Sequence, residues 1–464
     1  MKQKMVSSTG GERVIVIFAG WSMDSRPFEH LVRPGYDILV VWDYRSMDID
    51  WSSVQGYKEI CIVAWSLGVY AASVTTHTIE PRVTAKIAVN GTLFPVDDRL
   101  GIPEAVYTGT ERALDDRNLR KFHRRMCGSA EAFKAFSDIA PQRTDIQELR
   151  DELNAIYPAP IIGNPRSMRW DRAVISRSDA IFPPENQWRA WQGVVTDMVD
   201  GAHYLPMQEI LDRYIIDKQH AGACFDNHRN TYDTQALVQR KVIHNLLEAM
   251  LHYGVMELLS NPAKMCLEIG SGTGLLTRAL LRSCQARRMH LWDIGPDASG
   301  CKGHIFNCCD AEVELCRTLP QRYDVIATAS TVQWFNSPGR FLTECARVLR
   351  PGGFLALTSF VSGNMEEIRT ITGVGLPLLS LKQWLGILPD SLELIIARDY
   401  TASIPFESPA DVFRHLRLTG VNGLGRGASA RTPMRQVMER YPRMLDGMCY
   451  LTYRPFILIA RKKS

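Results

Sequence analysis

The segment CLEIGSGTG, residues 266–274, is the strongest motif in this chain of 464 residues. It opens as a buried strand, and glycines at alternate positions follow, so the backbone can bend around a ligand without Cβ clashes. The helix predicted after this loop offers unpaired N–H groups. The spacing differs from the GxGxxG fingerprint of dehydrogenases, and Glu268 suits a positively charged amino group better than a pyrophosphate. The segment therefore predicts an α/β domain that binds a nucleotide with a cationic part.

Two aspartates extend this predicted binding site. Asp293 follows the next strand, where a carboxylate can accept hydrogen bonds from both ribose hydroxyls. Asp310 follows the presumed third strand and can meet an adenine amino group. Together these residues predict S-adenosylmethionine, and a carboxylate acceptor would need no catalytic base at neutral pH. The predicted cofactor-binding residues are Glu268, Gly270, Gly272, Gly274, Asp293 and Asp310.

A second motif, ICIVAWSLG at residues 60–68, runs from a predicted buried strand into a helix with Ser66 at the corner. This arrangement is typical of the nucleophile elbow of an α/β-hydrolase fold, in which small neighbours leave the serine hydroxyl accessible. Ala64 replaces the usual first glycine, so an ordinary strand-to-helix turn is the alternative interpretation. The segment predicts a nucleophilic serine.

A nucleophilic serine requires a base and an acid that orients the base. In this fold the acid and the histidine follow the serine in that order, each on a loop after a late strand. Asp179 and His203 satisfy that order, and Asp200 is the alternative acid. The backbone N–H groups of Trp21 and Leu67 are the predicted oxyanion-hole donors, although Trp21 could also pack on the core.

One helix carries most of the clustered positive charge. The formal net charge of the chain is only +4, which gives no general case for nucleic-acid binding. A run of basic residues in a helix is often a solvated face. Here the helix lies between strands of the predicted sheet, and it could bind an acidic partner that carries an acyl group. The predicted carrier-binding residues are Arg117, Arg120, Lys121, Arg124 and Arg125.

The composition narrows the classes of protein to which the chain can belong. Hydrophobic residues make up 45% and charged residues 22% of the chain, which is the balance of a folded protein. The eleven cysteines include no CxxC pair, so we expect reduced thiols and no metal. No apolar run is long enough for a membrane span, and no signal peptide is evident. We therefore expect a cytoplasmic protein with no membrane partner.

The chain is predicted to contain two domains. Strands alternate with helices in both halves, which indicates largely parallel sheets with covered faces. The polar, small-residue run at 217–222 is the predicted linker, and a single long helix is expected at 234–259. We predict an α/β-hydrolase fold in residues 1–217 and a Rossmann-like class I methyltransferase fold in residues 222–464.

Both halves resemble enzymes of biotin synthesis. The C-terminal half resembles the BioC type of malonyl-acyl-carrier-protein O-methyltransferase, and the N-terminal half is similar to the BioG type of pimeloyl-acyl-carrier-protein methyl ester esterase. The first resemblance rests on YD at 232–233, LEIGSGTG at 267–274, VQW at 332–334, VLRPGG at 348–353 and HLRLTGVNGL at 415–424. The second rests on GWSMD at 20–24, AWSLG at 64–68 and FPPENQ at 182–187.

The resemblance implies a bifunctional enzyme whose substrates ride on acyl-carrier protein. Methylation of the malonyl carboxylate would remove a charge that an apolar elongation site rejects. After elongation, Ser66 would hydrolyse the methyl ester of pimeloyl-carrier protein. Two alternatives stay open: a serine thioesterase or carboxylesterase fused to a small-molecule methyltransferase, and a non-catalytic carrier-docking domain fused to a methyltransferase.

Overall fold

The computed structural model describes residues 1–79, 82–157, 169–284, 289–419 and 433–464. The chain divides into two compact units, residues 1–211 and residues 212–464. Each unit is a mixed α/β structure built around one seven-stranded sheet. The predicted alternation of strands and helices is therefore confirmed in both halves.

The sheet of the first unit is parallel except for its first strand. Its spatial order is β1-β3-β2-β4-β5-β6-β7, and β1 pairs antiparallel with β3. All residues of β2, β4 and β5 are buried, as expected for strands covered on both faces. The strands are β1 (Lys2–Ser7), β2 (Arg13–Phe18), β3 (Asp37–Trp42), β4 (Glu59–Trp65), β5 (Val83–Val89), β6 (Arg172–Ser176) and β7 (Val195–Val199).

Most helices of the first unit belong to an insertion between β5 and β6, which contains α2 to α5. The insertion interrupts a parallel sheet, so its helices can lie over the ends of the strands without breaking a strand pair. The helices are α1 (Gly68–Thr75), α2 (Glu104–Arg112), α3 (Asp116–Cys127), α4 (Ala130–Asp138), α5 (Ile146–Ile156), α6 (Pro184–Ala190) and α7 (Met207–Tyr214).

The second unit has a Rossmann-like sheet in the order β10-β9-β8-β11-β12-β16-β13. Within this sheet, β16 runs in the direction opposite to the other six strands. The order reverses between β8 and β11, and ligands bind at such switch points beside the carboxyl ends of the strands. The strands are β8 (Cys266–Ile269), β9 (Met289–Asp293), β10 (Ile305–Cys308), β11 (Tyr323–Ala329), β12 (Leu349–Phe360), β13 (Leu392–Asp399) and β16 (Pro455–Lys462), with β14 (Ala402–Phe406) and β15 (Cys449–Tyr453) forming a separate antiparallel pair.

Helices pack against this second sheet and against the small β14-β15 pair. The helices are α8 (Lys218–Asn227), α9 (Arg229–Gln235), α10 (Leu237–His252), α11 (Val255–Ser260), α12 (Leu275–Ser283), α13 (Ala311–Arg317), α14 (Pro338–Val348), α15 (Glu366–Thr372), α16 (Leu381–Gly386), α17 (Pro409–Leu418) and α18 (Met434–Arg440).

Two expectations about the second unit differ from the structure. The predicted linker at 217–222 forms most of the first two turns of α8, because the Asp217 side chain caps this helix by accepting from the His220 N–H. The predicted long helix at 234–259 is interrupted twice. Its first two residues belong to α9, which ends before Ala236, and Gly254 adopts a φ of 76° between α10 and α11. Residues 420–424 of the family-like run at 415–424 lie outside the described residues. In the described part of the chain, no helix is long and apolar enough to cross a membrane.

Candidate active sites

Ser66 lies at the sharp turn between β4 and α1. Its φ of 59° is in the left-handed region that residues with a side chain rarely adopt. Glycines allow the crowding around this turn: a Cβ on Gly68 would lie 2.4 Å from the Phe18 carbonyl oxygen, and one on Gly91 would lie 2.2 Å from that of Ser66. The alanine at position 64 is inside β4 and fully buried, so the turn forms without the usual first glycine.

The three residues predicted for nucleophilic catalysis are connected by hydrogen bonds. His203 Nε2 lies 2.9 Å from Ser66 Oγ, and His203 Nδ1 lies 2.9 Å from Asp179 Oδ2. All three side chains are buried, with at most 5% of any residue exposed. In this sequence of contacts, the imidazole can remove the proton from the serine hydroxyl as the serine oxygen attacks an electrophile. The carboxylate orients the imidazole.

The surroundings of Asp179 keep its carboxylate in place. Its Oδ1 accepts from the Ile181 and Phe182 N–H groups, and its Oδ2 accepts from Gln187 Nε2 at 2.9 Å. The alternative acid, Asp200, has a side chain that is 97% exposed and lies 3.3 Å from Arg177. The geometry therefore pairs His203 with Asp179 and leaves Asp200 in solvent.

Two backbone amides next to Ser66 are available to a ligand. The N–H groups of Trp21 and Leu67 donate no hydrogen bond within the described ranges. A Cβ on Gly20 would lie 3.2 Å from Ser66 Cβ, so the backbone before Trp21 passes directly beside the serine. The Trp21 side chain is buried and donates to the Leu149 carbonyl, so its ring packs on the core while its amide stays free.

The predicted carrier-binding residues form an exposed basic surface on α3. The five cations make no ion pair with any carboxylate of the described residues, and two of their guanidinium groups, those of Arg120 and Arg125, lie over the rings of Phe133 and Phe122. An unpaired basic surface attracts acidic partners from solution. The exposed residues are Arg117, Arg120, Lys121, Arg124 and Arg125.

The second unit contains a cleft at its topological switch point. The cleft is lined by five of the six residues predicted to bind the cofactor: Glu268, Gly270, Gly272, Asp293 and Asp310. The sixth, Gly274, is not among the lining residues; it has a φ of 81° and caps α12, and a Cβ there would lie 2.7 Å from the Ser299 carbonyl oxygen. The close approach to Ser299 leaves no room for a side chain at this position.

Glu268 is the most unusual group in the cleft. It is completely buried, and neither carboxylate oxygen accepts a hydrogen bond of normal geometry. Burial raises the pKa of Glu268 to about 8, against a lowering effect of the neighbouring Thr277. A buried carboxylate without strong partners is unfavourable unless a cation joins it. The cleft therefore fits a ligand that brings a positively charged amino group to Glu268.

The two aspartates of the cleft are held by neighbouring groups. Asp293 Oδ2 accepts from the Gly272 N–H at 2.8 Å, which fixes the glycine loop, and its Oδ1 accepts from the Gly295 N–H. Burial raises the pKa of Asp293, against the lowering effect of these hydrogen bonds. Asp310 caps α13 through the Glu312 N–H. Each aspartate keeps lone pairs for a ligand hydroxyl or amino group.

Sequence reasoning missed a buried ion network beside Asp310. The Lys218 ammonium lies 2.6 Å from Asp310 Oδ2 and 2.7 Å from Glu312 Oε2. Burial raises the pKa of Glu312, and Lys218 lowers it. No local pattern marks a lone lysine in a polar run as buried. Gln187, which donates to Asp179, was also missed. Its one signal in the sequence is its place in the FPPENQ run.

The cysteines and the possible metal ligands of the described residues are the remaining groups for which the sequence makes a prediction. None of the eleven cysteines, all of which lie in the described ranges, forms a disulfide bond. Among the described residues, no group of three or more His, Cys, Asp and Glu side chains is arranged to hold a metal ion.

Comparisons with known proteins match both halves. Residues 1–210 match the family described as pimeloyl-ACP methyl esterase BioG, and residues 267–357 match a methyltransferase domain family. A malonyl-acyl-carrier-protein O-methyltransferase of Bacteroides fragilis is 34% identical over 97% of this chain and 93% of its own length. One from Haemophilus influenzae is 31% identical over 53% of this chain and 95% of its own length.

A solved structure is also similar to the N-terminal half. The crystal structure of BioG from Haemophilus influenzae is 31% identical, covers 45% of this chain and 96% of its own, and superimposes with a TM-score of 0.41. The full-length match to the Bacteroides fragilis relative extends across both units of the chain. The chain therefore belongs to the malonyl-acyl-carrier-protein O-methyltransferase family, as a fusion of an N-terminal BioG domain and a C-terminal methyltransferase domain.

Proposed function

We propose that this protein catalyses two steps of biotin synthesis on acyl-carrier protein. Its second unit methylates the free carboxylate of a malonyl group, and its first unit, an α/β-hydrolase domain, hydrolyses the methyl ester of a pimeloyl group. The observation that carries the proposal is the Asp179–His203–Ser66 chain of contacts within a BioG domain whose partner domain matches methyltransferases.

The hydrolysis has a defined role for each group. Ser66 Oγ attacks the ester carbonyl carbon while His203 Nε2 takes the hydroxyl proton, and Asp179 stabilises the imidazolium. The N–H groups of Trp21 and Leu67 donate to the oxyanion. The C–O bond to methanol then breaks, and methanol leaves with the proton from His203. Water repeats the sequence on the acyl-enzyme, which releases the carboxylic acid and restores the serine.

The methyltransferase site would bind and align its two substrates. S-adenosylmethionine would supply the methyl group from its positively charged sulfur to a carboxylate oxygen of the malonyl group, and S-adenosylhomocysteine, a thioether, would leave. Glu268 would pair with the amino group of its methionine part, Asp293 with the ribose hydroxyls and Asp310 with the adenine amino group. Gly270 and Gly272 have positive φ values, and without a Cβ they would let the loop backbone approach the ligand closely. The remaining barrier is lowered by alignment, which needs no catalytic base.

The carrier protein is the proposed partner of both units. Relatives over both halves are named for carrier-linked substrates. The exposed basic surface of α3 supports this partner in the first unit, because its cations have no carboxylate among the described residues. Docking of an acidic carrier there would bring its acyl chain toward the serine. A cytoplasmic location, where the carrier and the methyl donor are both present, is part of the proposal.

Mass spectrometry of carrier-bound products tests both activities. Ser66→Ala should add a methyl group to malonyl-carrier protein at the wild-type rate and leave methyl-pimeloyl-carrier protein intact. Gly272→Arg should do the reverse, because the new side chain fills the cleft while Ser66 is unchanged. A folded variant that loses both activities would disprove the two-site assignment. Wild-type protein that leaves the methyl ester intact would disprove the esterase half.

A further inference from the structure

The segment that carries the Trp21 amide is held in place mainly by hydrogen bonds with residues outside the segment. This segment, the Trp21 loop, comprises residues 19–23. Its internal hydrogen bonding is limited to a 3.3 Å contact from the Met23 N–H to the Gly20 carbonyl, and Ser22 has a φ of 67°. A loop with one weak internal bond and a left-handed residue requires external contacts to keep one conformation.

The insertion between β5 and β6 supplies several of these contacts. The Trp21 indole N–H donates to the Leu149 carbonyl at 3.0 Å, and Arg143 Nη1 donates to the Met23 carbonyl at 3.3 Å. From α3 of the same insertion, His123 Nε2 lies 2.9 Å from Ser22 Oγ. The Trp21 loop thus depends on residues that are more than a hundred positions away in sequence.

A buried ion pair connects the two ends of the Trp21 loop. Arg143 Nη1, which bonds the Met23 carbonyl, also donates to Glu152 Oε2 at 2.7 Å. Glu152 Oε1 accepts from the Tyr44 N–H at 2.9 Å, and the Tyr44 hydroxyl donates to the Ala19 carbonyl at 2.6 Å. The ion pair therefore reaches the last residue of the loop directly and the first through Tyr44.

The burial of this pair limits what the pair can add to the free energy of folding. Glu152 is fully buried and the Arg143 side chain is 8% exposed. Removing two charges from water opposes folding by about as much as their attraction favours it, so apolar residues of similar size often serve stability equally well. An ion pair in such a position can instead fix the direction of the groups that it bonds.

We propose that Arg143 and Glu152 are positioning residues for ester hydrolysis, which hold the Trp21 loop so that its amide faces the oxyanion formed at Ser66. The inference rests on the proposed esterase function. It makes the insertion part of the catalytic apparatus as well as a carrier-docking surface. A donor that shifts by about 1 Å can lower turnover roughly 100-fold, so we expect a loss of about that size in kcat when the pair is removed.

The experiment compares Arg143→Met with the double variant Arg143→Met/Glu152→Leu. The single variant leaves Glu152 buried without its cation and should lower the unfolding temperature. The double variant removes both charges and should recover much of that temperature. In both variants, kcat for the methyl ester should fall about 100-fold while KM stays within about threefold.

Two inhibitors separate positioning from general damage. A trifluoromethyl ketone analogue of the ester forms a tetrahedral oxyanion with Ser66, and its affinity should fall in parallel with kcat. The corresponding ether has no carbonyl and forms no oxyanion, so its affinity should be unchanged. The methyl-transfer rate of the same preparations reports that the second unit is intact.

Arg45→Met is the matched control. Arg45 donates to Asp43, whose carboxylate also lies 3.7 Å from Arg143 Nη2, so the two arginines share this partner. Arg45 also lies 3.1 Å from Glu148, but it makes no hydrogen bond to the Trp21 loop in the described structure. Its kcat should remain within about twofold of wild type.

Three results would overturn the inference. The first is a double variant with wild-type kcat, and the second is equal loss of affinity for the ketone and the ether. The third is a loss in Arg45→Met as large as that in Arg143→Met. If instead Ser66→Ala hydrolysed the ester as fast as wild type, the esterase function itself would fail, and the inference would fail with it.

Discussion

His203 Nε2 lies 2.9 Å from Ser66 Oγ although 137 residues separate the two in sequence. The contact arises because β4 is central in the sheet and the His203 loop follows β7 at its edge. Both loops leave the carboxyl ends of parallel strands, which meet at one side of the sheet. Asn90 strengthens the arrangement, since its side-chain amide donates to the His203 carbonyl at 2.9 Å.

Asp179→Asn should lower esterase kcat by roughly 10⁴-fold, because an amide in place of the carboxylate favours the wrong imidazole tautomer. Asp200→Asn is the matched control and should retain wild-type activity, since that carboxylate is exposed and does not contact His203. Steady-state hydrolysis of methyl-pimeloyl-carrier protein measures both. The opposite ranking of the two variants would show that the acid has been misassigned.

Affinity for S-adenosylhomocysteine should depend on pH through Glu268. In the free protein burial raises the pKa of Glu268 to about 8, so the carboxyl is mostly protonated at pH 7. Binding of an ammonium group favours the ionised form, so affinity should increase as pH rises from 6 toward 7.5, with proton release on binding. Calorimetry in buffers of different ionisation enthalpy measures this release. Glu268→Gln should abolish it, and equal proton release by that variant would exclude Glu268.

The same shift has a consequence for stability without ligand. A carboxyl whose folded pKa exceeds its unfolded value favours the folded state below the unfolded pKa, near 4.5, and this contribution is lost as pH rises through about 8. We therefore expect Glu268→Gln to gain stability over wild type between pH 5 and pH 8. Thermal unfolding across that range measures the difference. A constant difference would mean that Glu268 titrates at its ordinary pKa.

Charge reversal on α3 should weaken carrier recognition. Arg120→Glu/Arg124→Glu should raise KM for methyl-pimeloyl-carrier protein by about tenfold at low salt and less at high salt, because screening weakens the attraction. Hydrolysis of a small methyl ester should be unchanged. Lys58→Glu is the control, since Lys58 precedes β4 at the end opposite Ser66 and is exposed. Equal effects of the two changes would exclude a specific docking surface on α3.

Lys218→Met should destabilise the second unit by about 3 kcal/mol, because Glu312 remains buried without its cation. The loss should shrink as pH falls and Glu312 becomes protonated, because burial raises the pKa of that carboxyl against the lowering effect of Lys218. Chemical denaturation of the full protein measures it. Arg435→Met, which removes an exposed pair with Glu439, should change little. A similar loss in both variants would mean that the Lys218 network contributes no more than a surface pair.

Local motifs were sufficient to predict most of the strands of the two large sheets and the candidate residues of both sites. The elbow around Ser66 and the glycine loop after β8 are encoded in consecutive residues, and the parallel topology brings the loop residues Asp179 and His203 to the same end of the sheet. The order of acid and base along the chain could therefore be predicted without a structure. Their distances could not be predicted, because these depend on how the loops pack.

The residues that sequence reasoning missed act through distant partners. Glu152 contacts Tyr44 across 108 residues, and Lys218 contacts Asp310 across 92. A buried charge in an amphipathic helix has the same sequence pattern as an exposed one. The β1 strand was missed for a related reason, since Lys2 and Lys4 give an edge strand a polar appearance. The break at Gly254 shows that a single left-handed glycine can end a helix whose apolar period continues.

Helix α8 has a consequence for any effort to divide the gene. A methyltransferase fragment that starts at Gly222 would lack the lysine that neutralises Asp310 and Glu312, and one wall of the cleft would be truncated. A shortened coding region that keeps this half active must therefore start upstream of Asp217, so that the capping aspartate and the lysine are retained. Truncation libraries should thus show an abrupt threshold at this helix.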